Sequence, residues 1–214
     1  VKKASALCSR PNLIFDRAKI SPEIQQQLAK FPEWQRELLM DAGEFFTGLL
    51  LEGDRAAAVL GAARIDVALE KLLKAVMSHH PGGSDNLFDS DRPLGTFFAK
   101  IALPHRLGLI DDDFEHALQM LRKIRNDFAH SVVKTSFSES SHRNRIIELA
   151  RVAKKLKSDS GESFQAYFAR IVPAHIGSPE LRDFCASVFV LLIALELTSG
   201  NTKRFVPGAQ ARFL

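Results

Sequence analysis

The chain has 214 residues, 46% of them hydrophobic and 25% charged, which is the balance of a folded globular protein and excludes a disordered one. Lys and Arg number 29 against 25 Asp and Glu, a formal charge of +4, too mild to point to nucleic acid by itself. The two cysteines, Cys8 and Cys185, lie far apart without a CxxC, which excludes a disulfide framework and a zinc spacing and fits two reduced cytoplasmic thiols.

Helical periodicity runs through the chain and no alternating strand pattern appears. Residues 1–20 read as an irregular arm, basic but without a long apolar stretch, so no signal peptide is expected. Ser21-Pro22 predicts a short helix start. Pro32 opens a helix to about Leu51, ended by Gly53, and Asp54 is placed to cap the next, which runs to about His79 and stops at Pro81-Gly82-Gly83. After a polar loop, a helix from about Pro93 ends at Gly108, with a kink expected at Leu103–Pro104. Asp111 starts a helix reaching about Ser131, residues 132–141 read as a Ser-rich linker, and a basic helix covers about His142–Lys157. Shorter helices follow Ser158–Gly161. An apolar helix from about Ser178 to Ser199 closes the domain, and residues 201–214 form a tail. Its run Phe184–Leu197 falls short of the roughly 20 residues that a membrane span needs, so it predicts a buried core helix or an oligomer seam. The whole reads as one all-α domain over residues 21–200, with no membrane association, no metal site and no cofactor.

The helix from Asp111 carries an apolar stripe of Phe114, Leu118, Leu121, Ile124, Phe128 and Val132, and Arg125 falls inside it. The helix from Asp54 carries a stripe of Ala62, Ile65, Leu69, Leu73, Val76 and Met77, with Asp66 and Glu70 at its edge. An unpaired buried guanidinium costs several kcal/mol, so the two helices are expected to pack with Arg125 paired to Asp66 or Glu70. Arg122, Asn126 and His130 form a polar edge beside the stripe, with His130 about 140° from Arg125 on the wheel. His130, at the helix C-terminus, is a candidate to cap its own helix end.

Arg125-Asn126-Asp127-Phe128-Ala129-His130 reads Arg-Asn-x-x-x-His, which resembles the signature of the HEPN superfamily of small helical domains. A longer series resembles the mannitol operon repressor-like (MltR-type) family of bacterial regulators. It comprises Arg64-Ile65-Asp66, Ala68 to Leu73, Leu87-Phe88, Pro93 to Phe97, Ala99-Lys100-Ile101, Arg106 to Ile110 and Arg122 to His130. It covers roughly residues 55–150, and Pro104 and Phe98 depart from the family pattern. The resemblance implies a HEPN-like up-down bundle with additional C-terminal helices, a homodimer, and a non-enzymatic transcriptional regulator acting through a protein partner. The alternative that it implies is a metal-independent RNase or toxin using Arg125, Asn126 and His130. In such an enzyme His130 does acid–base work and Arg125 stabilises the phosphorane charge, with a second copy completing the pair.

The helix about His142–Lys157 offers a further surface. Arg143, Arg145, Arg151, Lys154, Lys155 and Lys157 stand against Glu148, a patch suited to a phosphate backbone but without aromatic residues for base stacking. His79-His80 are adjacent and share no helix face, which makes a poor metal site.

Overall fold

A computed structural model of the chain describes residues 21–78, 82, 86–131, 135–156, 163–172 and 175–204. The arm 1–20 with Cys8, the pair His79-His80, Val132, Lys157 and most of the tail lie outside the described residues. The fold is all-helical. Its elements are α1 (Pro22–Leu28), α2 (Glu33–Glu52), α3 (Asp54–Val76), α4 (Phe97–Arg106), α5 (Asp112–His130), α6 (Ser140–Lys155), α7 (Phe164–Ile171) and α8 (Pro179–Asn201).

Local chemistry explains most boundaries. Ser21 Oγ accepts from Ile24 N at 3.4 Å and Ser178 Oγ from Leu181 N at 3.2 Å, each followed by a proline at the first helical position. Asp111 accepts from Phe114 N at 2.8 Å and starts α5 as expected. Asp54 does not cap α3. Gly53 takes that position at φ +89°, and the Asp54 carboxylate instead receives Ser136 Oγ and Phe137 N, both at 2.9 Å. α4 continues through Pro104 to Arg106.

α8 is the axis of the bundle. It packs against α2, α3, α6 and α7, and Phe184 to Ile193 are buried without a break. The apolar run is therefore a core helix of one chain, and the oligomer-seam reading of it fails because no continuous face is left for a second copy. Ser187 is tolerated because its hydroxyl donates to Asp183 O at 2.6 Å, and Glu196 because it meets Lys71. Among the described residues no helix is long and apolar enough to cross a membrane. A single buried cluster draws residues from all eight helices.

The supposed linker before α6 contributes to this core. Phe137 is fully buried, stacked on Phe184 at 4.6 Å and tilted against Phe128 at 4.8 Å. This ring fixes α6 against α5 and α8, and α6 begins at Ser140, two residues earlier than expected.

Candidate functional site

The Arg-Asn-x-x-x-His residues occupy the last turns of α5, as the sequence predicts. α3 and α5 do pack together. Their charged residues pair differently from the expectation. Asp66 and Glu70 belong to Lys100 of α4, whose Nζ lies 2.8 Å from Asp66 Oδ2 and 2.9 Å from Glu70 Oε2. The other Glu70 oxygen accepts from Lys74 at 2.6 Å, and Asp66 Oδ1 is buried without a hydrogen-bond partner. Burial works against the Lys100 ammonium, but the two carboxylates outweigh it and raise its pKa above the ordinary lysine value. Burial likewise pushes the Glu70 carboxyl up, and Lys74 and Lys100 more than offset this, leaving it below the usual range.

Arg125 is exposed, and its Nη1 donates to Asn126 Oδ1 at 3.0 Å. The predicted pair with Asp66 or Glu70 is thus corrected. The reason lies in the reach of α4. His105 of α4 touches Asp112 at the start of α5, at 2.7 Å, and Phe98 near the start of α4 lies over the Arg122 guanidinium at 5.3 Å. α4 therefore runs out at Arg122, and Arg125, one turn further along α5, has no helix on that flank.

Of the expected polar edge, Arg122 Nε donates to Gln119 Oε1 at 2.9 Å, Asn126 is half-buried, and His130 is exposed with no hydrogen bond among the described residues. His130 does not cap the helix end. Arg55 does, with Nε on the Phe128 carbonyl at 3.0 Å and a second nitrogen on the Ser131 carbonyl. Arg55 and Asp54, neighbours at the start of α3, thus tie down both sides of the α5–α6 connection.

The chemically busiest residue of the hexapeptide is Asp127, to which the sequence reading gave no role. Its Oδ2 receives Arg145 Nη1, and His142 Nε2 stands 3.3 Å away. Burial raises the Asp127 carboxyl, yet Arg145 and His142 hold it below its ordinary value overall. His142 is itself buried, with Nδ1 3.1 Å from Ser136 O, Glu139 3.7 Å away and its ring 5.0 Å from Phe128. The signal for Lys100 was present in the sequence. Phe97, Lys100, Ile101 and Pro104 follow the i, i+3, i+4, i+7 spacing of a buried face. His142 and Phe137 gave no such signal, because their burial depends on a turn whose geometry local spacing does not encode.

The basic face of α6 is largely compensated. Arg143 meets Glu180 at 3.1 Å, Arg145 meets Asp127, Arg151 meets Glu148 at 3.0 Å and Asp113 at 3.8 Å, and Lys155 also meets Asp113. The hydrogen bond from Lys155 is the main cause that lowers the Asp113 carboxyl. Lys154 is exposed and unpaired among the described residues. No group of three or more His, Cys, Asp or Glu among the described residues is placed to hold a metal ion. Burial, with Asp54 nearby, pushes the Cys185 thiol well up, so it is no nucleophile. No family model, curated protein or solved structure matches the chain.

Proposed function

We propose that this chain is a non-enzymatic regulator of the mannitol operon repressor-like kind, a cytoplasmic HEPN-like bundle that acts through protein–protein contacts. The observation that carries this reading is the use of the hexapeptide as a joint. Asp127 is engaged by Arg145 and His142, and the helix end is held by Arg55. The residues that resemble the family, from Arg64 to His130, lie on α3, α4 and α5 and the segment before α4, and those three helices pack on one another. Ion pairing along α6 lowers its net positive field and makes it a poor track for phosphates.

One observation favours the RNase reading as the second choice. Arg125 and His130 are exposed and carry no carboxylate among the described residues, so an incoming phosphate meets no internal competitor at either. In that mechanism His130 exchanges a proton with the 2′-hydroxyl or the leaving oxygen, Arg125 stabilises the phosphorane, and a second copy supplies the other proton transfer.

Cleavage of labelled single-stranded RNA in EDTA, wild type beside His130→Ala, separates the two. The regulator reading expects intact RNA with both proteins. Cleavage by wild type that disappears in His130→Ala overturns it.

A further inference from the structure

Through its middle, α3 is apolar on every side. Its inward residues, among them Ala58, Ala62, Ile65 and Leu69, are buried. Its outward line is Ala56, Leu60, Ala63 and Val67, at spacings of four, three and four residues, which is one helix face. Leu60 is 46% exposed and Val67 57% exposed, and Ala63 between them is exposed too. α2 and α8 as well as α4 and α5 pack against α3, and this line is the part that they leave open. A helix apolar all round is ordinarily covered all round.

The two ends of the line carry opposite charge. Glu52, exposed, stands where α2 turns into α3, and Lys71 and Lys74 close the other end. Lys71 lies beside Glu196 and Lys74 beside Glu70, yet their side chains remain 62% and 47% exposed and are free to share a further carboxylate. A parallel copy of α3 laid on this face brings lysine onto lysine. An antiparallel copy brings Glu52 opposite Lys74. Ala63 lies eleven residues from each, so a two-fold axis at Ala63 matches them.

We propose that two copies of this chain pair through the outer line of α3, antiparallel, about a two-fold axis at Ala63. Leu60 of one copy then meets Val67 of the other, and the two small Ala63 side chains let the helix axes approach to about 8 Å. The same patch serves both copies, as closed two-fold symmetry requires. The proposal is independent of the regulator and RNase readings, since it uses none of the hexapeptide.

Sedimentation equilibrium of the full chain tests it, with circular dichroism to verify the fold. Wild type is expected at the mass of two chains. Ala63→Glu sets two carboxylates on the axis and is expected at the mass of one chain with undiminished helicity, since Ala63 touches no core. Ala63→Cys, made with Cys8→Ala, is expected to cross-link two chains on mild oxidation. Glu52→Lys is expected to weaken pairing, and adding Lys74→Glu to restore it. A one-chain mass for wild type, a two-chain mass for Ala63→Glu, or no cross-link through residue 63 overturns the proposal.

Discussion

Lys100 and Arg145 are both cations that join two helices through carboxylates, and water separates their roles. The Lys100 side chain is 5% exposed and is shared by Asp66 and Glu70, themselves less than a third exposed. Arg145 is 29% exposed and meets Asp127 at 44%. Desolvation makes the Lys100 cluster intolerant of losing a member, because two half-buried carboxylates are then left facing each other. The Arg145 pair is screened, and its partners can turn to water at little cost. Position in the sequence hides this difference. Asp66 sits in a helix interior and Asp127 in a conspicuous motif, yet the inconspicuous cluster is the one that holds α4 on α3.

The largest effect is expected from Lys100→Ala. It should lower stability by about 3 kcal/mol, read from the midpoint of urea unfolding at neutral pH. The pH dependence sharpens this. A raised lysine value means that the contribution is complete below the ordinary lysine range and is lost as pH rises through the higher folded value. Wild type should therefore lose its advantage over Lys100→Ala only in strongly alkaline solution. A change near zero at neutral pH would mean that the buried triad is not the joint described.

Asp127→Asn is expected to be milder, under about 1 kcal/mol at neutral pH given the exposure of the pair. The sign is opposite. A lowered carboxyl stabilises the fold above the ordinary carboxylate range, and that stability is lost as pH falls through the folded value. Melting temperatures of wild type and Asp127→Asn should differ at neutral pH and converge in acid. Curves that stay parallel into acid would show that Asp127 carries no such linkage.

The sequence made the fold class and most helix positions legible, because capping residues and apolar spacing are local. Ser178-Pro179 and Asp111 mark helix starts that the structure places within a residue. The meeting of α3 with α5 was also legible from two stripes. The charge pairing across it was not, because a wheel shows which side of a helix a residue occupies and not how far the neighbouring helix extends. Lys100 and Arg125 both project onto apolar stripes. α4 is packed between α3 and α5 and buries Lys100, whereas α4 ends before it reaches Arg125. The joint at Asp127 was hidden for a related reason. It is assembled from Arg55, Asp54, Ser136 and His142, residues brought together only by the turn between α5 and α6.

The smallest expected effect tests that explanation most directly. Arg125→Ala should change stability by less than about 0.5 kcal/mol, the usual range for an exposed side chain away from caps and cores. The guanidinium touches only the neighbouring Asn126 side chain, so its loss removes one exposed hydrogen bond and strands no buried carboxylate. If α4 extended one turn further along α5, the same residue would be desolvated and the same substitution would cost several times more. A loss of several kcal/mol would thus place Arg125 among the buried charges and return Asp66 or Glu70 to it as a partner. Parity with wild type, beside a large loss in Lys100→Ala, assigns both carboxylates to Lys100. It also leaves Arg125 as a surface cation with its charge available to whatever this end of α5 meets.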